Sequence, residues 1–426
     1  MSSMNFMEKL LNGVEVEWKA LWQVTTWDKR FNAVDNYKQP RVINYPYLLA
    51  ADLFKLEKDD GDIFLLSTGE RTGWTTEVLA GTYLRTGEVV TIPWGKSRPV
   101  KDVLKYYKGR FVTADNRIAT SSDTEKLLNK FLYYWLMSQS IVIDGFYRGS
   151  GIQHPSMAAV LDMQIPIPTL EIQAEIVRIL DTFAELTAEL TAELTARKKQ
   201  YNYYRDQLLS FPCSSVGMQG AVEWKTLGDA GKFIRGGGLQ KKDFTETGVG
   251  CIHYGQIYTH YGTYTDKTKT CVSEEFAKKA RKAKSGDLVI ATTSENDEDV
   301  CKAVAWLGSE EIAVSSDACI YRHNLNPKYV SYFFKTEHFQ KQKRQYITGT
   351  KVRRVNADDL AKILIPIPPI SEQARIVAIL DKFDTLTHSI SAGLPREIAL
   401  RQKQYAYYRD LLLSFPKPAP DVAAVE

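Results

Sequence analysis

The sequence predicts an α+β protein in which two globular blocks alternate with two long helices. Two observations predict this class: the chain contains an internal repeat, and each copy ends in a block with a heptad pattern of apolar residues. Composition agrees, because 44% hydrophobic and 25% charged residues are typical of folded chains with sizeable cores. The same values exclude a disordered tail, a collagen-like repeat and a disulfide-stapled miniprotein.

The internal repeat is visible in three pairs of segments. Residues 165–187 are identical to residues 365–387 at 14 of 23 positions, and residues 197–212 are identical to residues 401–416 at 13 of 16. The third pair is VEWKAL at 16–21 and VEWKTL at 222–227. The offset between the copies rises from 200 in the first pair to 204 in the second. The chain therefore consists of two units of about 210 residues, each with a variable block followed by a strongly repeated block.

Each repeated block predicts a long helix. Prolines at its start favour an extended entry, and apolar or aromatic residues then recur at alternating steps of four and three, as in helices that pack along each other. This seam consists of Ile176, Leu180, Phe183, Leu190, Leu194, Tyr201, Tyr204 and Leu208 in the first copy, and Ile376, Leu380, Phe383, Tyr405 and Tyr408 in the second. Gly393 and Pro395 fall inside the second copy, so we expect that helix to be kinked or restarted near Pro395.

The variable blocks contain short apolar runs separated by glycine and charged residues, which favours mixed α+β globules. The predicted segments are a first globule at 1–164, a long helix at 165–212, a second globule at 213–364, a second helical region at 365–416 and a tail at 417–426. We expect a linker from Pro212 to Gly220.

Charge and cysteine content narrow the functional classes. The net charge of +4 is too small for a histone-like polycation, so any nucleic-acid affinity must come from local clusters. The five cysteines show no C-x-x-C spacing, which predicts free thiols in a reducing compartment and no metal site. No apolar stretch is long enough for a membrane span, and the N-terminus does not resemble a signal peptide. We therefore expect a cytoplasmic chain.

Motifs that would indicate catalysis are missing from the sequence. Gly95-Lys96-Ser97 resembles the end of a phosphate-binding loop, but Val90 occupies the position of the required glycine. The sequence has no G-x-G-x-x-G, no H-E-x-x-H and no Asn-Pro-Pro-Tyr/Phe signature of adenine methyltransferases. Glu17-x-Lys19 and Glu223-x-Lys225 superficially match a nuclease half-motif, but their duplication beside tryptophan favours the start of a structural strand. No catalytic residue is expected.

Clusters of basic, amide and aromatic residues instead predict nucleic-acid binding. Basic side chains bind phosphates, whereas Gln, Asn and Arg can pair with base edges. The candidates are Arg148, Gln153 and His154 in the first variable block, and Arg235, Lys241, Lys242, Tyr254, Gln256, Tyr258, Lys351, Arg353 and Arg354 in the second. Gly149-Ser150 and Gly349-Thr350 are equivalent at offset 200, and divergent polar residues follow each pair. This pattern suggests one backbone frame that carries two different sets of contacts.

These features together resemble the specificity subunit of type I restriction–modification enzymes. The similarity rests on the I-P-I-P entries at 165–168 and 365–368 and on the following E-Q-x-x-I-V-x-I-L-D, which runs intact from Glu372 to Asp381. The first copy departs from that motif, with Ile172 in place of the glutamate. The tetrads Thr187-Ala-Glu-Leu190 and Thr191-Ala-Glu-Leu194 resemble, more narrowly, the type IC branch.

The resemblance implies that each globule is a target-recognition domain for one half of a split double-stranded DNA target. It further implies that the helices pack as an antiparallel coiled coil with pseudo-twofold symmetry, serve as a spacer and dock two modification subunits. Those subunits would carry S-adenosylmethionine and methylate adenine, and restriction subunits would add ATP- and Mg-dependent translocation and cleavage. No cofactor is expected on this chain.

Two other classes remain open from the sequence. An architectural coiled-coil scaffold would explain the helices, and it predicts no salt-dependent binding to duplex DNA. A stand-alone DNA enzyme predicts methyl transfer by the purified chain. Neither accounts for a duplicated globule-plus-helix plan whose globules differ in sequence.

Overall fold

A computed structural model describes most of the chain. The described residues are 16–96, 98–212, 222–389 and 391–416. The predicted tail and, apart from Pro212, the predicted linker lie outside them. The chain divides into two compact units, one formed by residues 1–188 together with 400–426 and the other by residues 189–399.

The first globule contains a seven-stranded mixed sheet. Its long central strands, Arg85–Pro93 and Lys105–Ala114, pair antiparallel from Arg85↔Phe111 to Thr91↔Lys105. In spatial order the strands are Thr25–Trp27, Asn116–Ser121, Arg85–Pro93, Lys105–Ala114, Ile63–Leu66 and Gly73–Thr75, with Tyr47–Leu48 also paired to Lys105–Ala114. Its α-helices are Leu21–Val24, Ala50–Leu53, Glu77–Ala80, Asn129–Ser138, Ser140–Asp144 and Met157–Leu161, and short 3-10 helices lie at Asn36–Lys38, Phe54–Leu56, Gly81–Tyr83 and Val100–Asp102.

The second globule is built differently, around two five-stranded sheets. One sheet has the spatial order Gly231–Arg235, Ala318–His323, Leu288–Ala291, Ala303–Trp306 and Tyr264–Thr265. The other has the order Phe244–Thr245, Thr270–Val272, Val249–Ile252, Ile312–Val314 and Lys282–Ala283. The helices are Leu227–Ala230, Tyr254–Thr259, Glu274–Lys279, Pro327–Phe333, Glu337–Arg344 and Ala357–Leu360, with a 3-10 helix at Lys241–Asp243. Mixed helices and sheets were predicted for both globules, and this is confirmed.

A short two-stranded clasp closes each globule and recurs with the same register. Glu17–Ala20 pairs with Gln164–Ile167 through Trp18↔Pro166. Glu223–Thr226 pairs in the same way with Leu364–Ile367. Proline is tolerated here because a two-stranded ribbon leaves one edge of each strand free of ladder hydrogen bonds. The clasp explains why V-E-W-K and I-P-I-P are repeated together, and it confirms the structural interpretation of Glu17-x-Lys19 and Glu223-x-Lys225.

The central helix, Leu170–Leu208, is continuous over 39 residues. The second copy is interrupted: one helix, Ile370–His388, ends before Gly393, and another, Leu394–Leu412, follows it. Gly393 has a φ of +86°, which favours glycine, and Pro395 occupies the first turn of the new helix, where proline is tolerated. The predicted restart near Pro395 is confirmed. Among the described residues, no helix combines the length and apolarity required to cross a membrane.

The seam residues join these helices to the cores of their own units. Ile176, Leu180, Ile376, Leu380 and Tyr201 are buried. Phe183, Leu190, Leu194, Leu208, Phe383, Tyr405 and Tyr408 are half-buried, and Tyr204 is 41% exposed. Within the first unit Phe183 stacks on Tyr408 at 5.3 Å, and within the second Tyr204 stacks on Phe383 at 5.7 Å. Each unit therefore contains a contact between a first-copy helix and a second-copy helix.

Candidate nucleic-acid interface

Two equivalent hairpins contain the candidates that immediately precede the clasps. In the first globule, Tyr147–Arg148 pairs with His154–Pro155, with Arg148 opposite His154. In the second, Thr348 pairs with Arg354, and their backbone N–H groups exchange two hydrogen bonds of 2.9 Å. Both pairings join residues six apart, and the two hairpins are offset by 200. Position 154 is therefore the structural equivalent of position 354.

The glycine after the first hairpin residue has a positive φ in both copies. Gly149 and Gly349 have φ values of +127° and +87°. A Cβ atom on Gly349 would lie 2.1 Å from the carbonyl oxygen of Val352, and one on Gly149 would lie 3.1 Å from that of Ile152. A Cβ atom would therefore clash with the backbone at position 349 and would be tightly packed at position 149, and the positive φ favours glycine at both. The shared backbone frame that the sequence suggested therefore holds for the register and for this glycine. The tips differ, because Gly151 has a φ of +99° and the equivalent Lys351 does not have a positive φ.

Each hairpin also pairs with a neighbouring strand through its penultimate residue. Gln153 exchanges backbone hydrogen bonds of 3.1 and 3.2 Å with Lys96. Arg353 lies opposite Ser294 in the equivalent arrangement. Arg354 follows in the same ladder, opposite Thr293. Because side chains alternate along a strand, neighbouring residues face opposite sides of it. His154 and Arg354 are the exposed members of the two pairs, whereas Gln153 and Arg353 are half-buried.

His154 is exposed and rests on an aromatic platform. Its ring centroid lies 4.7 Å from that of Trp94, and the guanidinium carbon of Arg117 lies 3.9 Å from the centroid of the Trp94 ring. The Nδ1 atom of His154 is 2.9 Å from the carbonyl oxygen of Trp94. Beneath the hairpin, the Lys96 ammonium pairs with Asp144 and lies 4.5 Å from the ring centroid of Tyr147. No sequence pattern pointed to Trp94 or Arg117, because they lie about 40 to 60 residues upstream of the hairpin.

Arg354 and Arg235, predicted separately, line the same surface cleft. The cleft has a volume of about 300 Å³, and its other lining residues include Asp317 and Asn356. Gly236 follows Arg235 where the backbone passes Ser315 so closely that a Cβ atom would lie 1.9 Å from that carbonyl oxygen. The structure thus brings together two basic candidates that are 119 residues apart in the sequence.

Arg353 and Arg148 are held by their own globules. The Nε atom of Arg353 lies 2.8 Å from Asp297, and its guanidinium also donates to the carbonyl oxygen of Gly349. The Arg148 guanidinium donates to the carbonyl oxygens of Gly145 and Tyr147. Lys351 is exposed at the tip of the second hairpin.

The remaining candidates differ in how accessible their polar atoms are. Lys241 and Lys242 are exposed in a 3-10 helix. Gln256 is buried, and its amide accepts from the His253 N–H at 3.0 Å and donates to Thr270 at 3.0 Å. The Tyr258 hydroxyl donates to the carbonyl oxygen of Thr293 at 2.6 Å, and burial raises its pKa. Tyr254 is half-buried against the same core. The aromatic run thus serves mainly to build the globule.

A duplicated polar contact, which the sequence reasoning missed, attaches each globule to its long helix. Asp181 accepts from Tyr134 at 2.6 Å and from Lys130 at 2.8 Å. Asp381 accepts in the same way from Tyr332 at 2.8 Å and from Lys328 at 2.7 Å. Although burial opposes it, the hydrogen bond to Asp381 raises the pKa of Lys328. The sequence did contain a signal for this contact, because an aspartate, Asp181 or Asp381, is present at the same position of both apolar helix repeats.

The amide of Gln173 and its equivalent Gln373 make a second duplicated contact. Each donates to the carbonyl oxygen of the proline that directly follows the clasp strand, Pro168 or Pro368, at 2.8 Å. Each also accepts a backbone N–H from the globule at 2.9 Å, from Leu128 in the first copy and Asn326 in the second. The glutamine of the repeated E-Q motif therefore ties helix, clasp and globule together.

One polar cluster is present in the second unit but not in the first. The Lys335 ammonium donates to the Thr263 hydroxyl at 2.6 Å, and that hydroxyl lies 3.3 Å from the Asp384 carboxylate. Burial lowers the pKa of Lys335 to about 8. Burial alone would raise the pKa of Asp384, but the hydrogen bond with His388 and the charge of Lys335 outweigh it, so that pKa is lowered. The equivalent residues of the first copy, Met137 and Ala184, cannot form such a pair.

The described parts of the chain contain no candidate metal cluster, and three of their four cysteines are buried. They contain no group of three or more His, Cys, Asp or Glu side chains placed to hold a metal ion. Cys251, Cys271, Cys301 and Cys319 are free, and Cys213 lies outside the described residues. Burial raises the pKa values of Cys251, Cys301 and Cys319, which disfavours the reactive thiolate.

Sequence comparison places this chain among known proteins. The family described as type I restriction modification DNA specificity domain matches residues 50–197 and 221–400. The Escherichia coli type I restriction enzyme EcoR124I/EcoR124II specificity subunit is 38% identical over 430 residues, which cover 98% of this chain and 99% of that protein. A putative type I restriction enzyme specificity subunit of Haemophilus influenzae is 33% identical over 439 residues, covering 96% and 98%.

Solved structures share the fold at low sequence identity. The S subunit of a type I restriction–modification system from M. genitalium superimposes with a TM-score of 0.55 at 15% identity, covering 95% of this chain and 98% of that one. A structure titled for complex assembly and conformational transition of the type I R-M system gives a TM-score of 0.53, also at 15% identity, covering 94% and 98%.

Proposed function

Since this chain belongs to the family of type I restriction–modification DNA specificity subunits, which is non-catalytic, we propose that its two globules bind the two halves of a bipartite double-stranded DNA target. In this proposal the five predicted segments keep their roles, with target-recognition domains at 1–164 and 213–364, helical regions at 165–212 and 365–416, and a tail at 417–426.

The observation that carries this proposal is the pair of equivalent hairpins. Their registers match, as do the positive φ values of Gly149 and Gly349, yet one presents His154 and the other Arg354. The surrounding sheets differ as well, with seven strands in one globule and two five-stranded sheets in the other. A scaffold protein has no need for two different polar surfaces on one frame, whereas readers of two different half-sites do.

For the DNA-binding surface we propose His154, Gln153 and Arg148 in the first globule and Arg235, Lys241, Lys242, Lys351, Arg353 and Arg354 in the second. Tyr254, Gln256 and Tyr258 are proposed to support that surface from within the globule, because their polar atoms or rings pack internally. Phosphate contacts position a protein on DNA and base contacts specify the sequence, so most members of this set are assigned to phosphates.

We further propose that the helices form an antiparallel coiled coil with pseudo-twofold symmetry that docks two modification subunits. The stacked pairs Phe183–Tyr408 and Tyr204–Phe383 support this packing. Half-buried seam residues, including Leu190 and Leu194, leave apolar surface that a partner helix can cover. S-adenosylmethionine would belong to the modification subunits, and ATP with Mg to the restriction subunits.

Methylation mapping in a genome that carries this chain and its modification subunits tests the proposal. We expect adenine methylation in a single split motif with two defined halves and an unread gap. The purified chain alone should transfer no methyl group. Methylation by the chain alone, or no duplex binding by the assembled complex, would contradict the proposal and favour an enzyme or a scaffold, respectively.

Salt dependence tests the DNA-binding surface directly. Replacing Lys351, Arg353 and Arg354 together with alanine should weaken DNA binding and flatten the plot of log affinity against log salt. Each lost phosphate contact reduces that slope by about 0.9. Lys55→Ala, which removes an exposed lysine paired with Asp52, is the control and should leave the slope unchanged. An unchanged slope in the triple variant would show that the hairpin does not contact DNA.

A further inference from the structure

We infer that the equivalent positions 154 and 354 are base-reading positions, with His154 presenting a hydrogen-bond acceptor to one half-site and Arg354 a pair of donors to the other. This inference deepens the proposed function and rests on it. It assigns a direct readout to one residue per hairpin and a structural or phosphate role to the neighbours of that residue.

The proton on His154 is placed by the contact with Trp94. A carbonyl oxygen can only accept, so in the neutral form of the imidazole the 2.9 Å contact requires the proton to be on Nδ1. The other ring nitrogen, Nε2, then carries a lone pair and points away from that carbonyl. The Trp94 ring at 4.7 Å holds the imidazole plane, and Arg117 supports Trp94 from 3.9 Å. The acceptor is therefore fixed in direction before DNA arrives.

Arg354 differs from Arg353 in the bonding of its guanidinium. The Arg353 guanidinium is held by Asp297 and by the turn carbonyl of Gly349. Within the described residues the structure gives the Arg354 guanidinium no hydrogen bond or ion pair, although its backbone is fixed by Thr348. Arg354 is exposed and lines the cleft that it shares with Arg235. A fixed backbone with an uncommitted planar donor is suited to a directional contact.

The donors and acceptors of the major groove determine which bases these two side chains can read. A neutral imidazole acceptor matches the exocyclic amino group of adenine or cytosine. Arginine pairs through two hydrogen bonds with O6 and N7 of guanine, the commonest specific contact in protein–DNA complexes. We therefore expect adenine or cytosine at the position read by His154, and guanine at the position read by Arg354.

The test exchanges the two side chains in the assembled complex of this chain with its modification subunits. The variants are His154→Arg, Arg354→His and the double exchange, each purified as the intact complex. Methylation mapping should show a changed or relaxed base at one position of one half-site in each single variant. The other half-site should stay unchanged, and the double variant should show both changes.

A panel of duplexes with single base-pair changes provides the second measurement for variants that no longer methylate. Loss of discrimination at one base pair supports the inference. Equal weakening on every sequence, or retention of both wild-type half-sites, overturns it. Arg353→Gln is the matched contrast on the same strand. Because Arg353 is proposed to contact phosphate, its loss should weaken binding to every duplex alike and leave the preference for each base unchanged.

Failure of the inference and failure of the proposed function are distinguishable in the same experiment. If the wild-type complex binds no split target, the proposed function fails whatever the variants do. If the wild-type complex reads two half-sites and the exchanges change neither, the proposed function stands and base reading at positions 154 and 354 is refuted.

Discussion

At the scale of single residues, a polar cluster in the second unit replaces apolar residues at the equivalent positions of the first copy. Lys335, Thr263 and Asp384 form a polar cluster where the first copy has Met137 and Ala184. Lys335 is half-buried. Burial disfavours its charged form, and the nearby charge of Asp384 favours it. Removing one member of a buried charge pair leaves the other charge buried without a partner, which is strongly destabilising. Replacing both members with apolar residues costs much less.

We predict that Lys335→Met and Asp384→Ala are each destabilising, whereas the double substitution costs less than the sum of the two. Each single change leaves one charge without its partner, and the double change reproduces the pair found in the first copy. Urea unfolding of the four proteins, followed in the second unit by hydrogen exchange, measures the coupling. Additive effects within about 0.5 kcal/mol would show that the two charges do not depend on each other.

The same lysine makes a prediction about pH. Its folded pKa of about 8 lies below the ordinary 10.5, so between these values the unfolded chain binds the extra proton. Stability contributed by this group therefore rises as pH increases from about 8 to 10.5, by up to about 1.4 kcal/mol per pH unit. The measurement is the difference in unfolding free energy between wild type and the double variant at pH 7.5 and pH 9.5, values chosen to bracket about 8. A difference that does not change with pH would contradict this assignment.

The repeated aspartates support a further residue prediction. Asp381→Ala should destabilise the second unit by about 2 kcal/mol, since the Tyr332 hydroxyl and the Lys328 ammonium lose their common acceptor. That value is discounted because the carboxylate is 26% exposed. Glu372→Ala on the same helix breaks an exposed pair with Arg375 and should cost below about 0.5 kcal/mol. Hydrogen exchange should locate the Asp381→Ala effect in Pro327–Phe333, and equal effects of both variants would be evidence against the docking role.

At the scale of elements, periodic and proline-marked features were predictable from sequence and the globules were not. The heptad seam and Pro395 located the central helix and the restart of the second helix to within a few residues, because both depend on local backbone chemistry. The strand orders of the two globules could not be predicted, because they depend on contacts between residues far apart in the sequence. The hairpin frame was predictable because it depends on a few neighbouring residues. The Trp94 platform and the Arg235–Arg354 cleft were not predictable, because they bring together residues that are far apart in the sequence.

The break before the C-terminal helix yields an element-scale prediction. Gly393→Ala should destabilise the second copy by about 2 kcal/mol. The residue has a φ of +86°, and a Cβ atom there would lie 2.4 Å from the carbonyl oxygen of Thr385. Gly69→Ala, where a Cβ atom meets nothing within 4 Å, is the control. Hydrogen exchange around residues 380–400 is the measurement, and unchanged protection there would show that the turn adapts.

At the scale of the whole molecule, the repeat predicts the stoichiometry of the complex. Both copies retain the seam and the Asp-centred contacts, so each should offer an equivalent docking surface. We expect two modification subunits per chain, because an apolar seam left half-buried favours a covering partner. Native mass measurement at saturating partner decides this, and a stable one-to-one complex would contradict it.

The last whole-molecule prediction concerns the tetrads Thr187-Ala-Glu-Leu190 and Thr191-Ala-Glu-Leu194 in the central helix. The offset between the copies grows from 200 to 204 across this region, so the repeat itself differs there by four residues. One more tetrad adds about 6 Å along the helix and rotates the C-terminal part of the helix by roughly 40° beyond a full turn. In the proposed spacer role, that length corresponds to between one and two base pairs, at about 3.4 Å each.

We therefore expect a chain with one inserted tetrad to keep both half-site sequences and to lengthen the unread gap, by one base pair if part of the added length is absorbed in reorientation. Inserting two residues would instead rotate the part of the seam after the insertion by about 200°, so that Tyr204 could no longer stack on Phe383, which should abolish assembly. Methylation mapping and native mass measurement of the three proteins make the comparison. Altered half-site bases with an unaltered gap would show that the helix does not set the spacing, because only the globules would then have responded to a change made outside them.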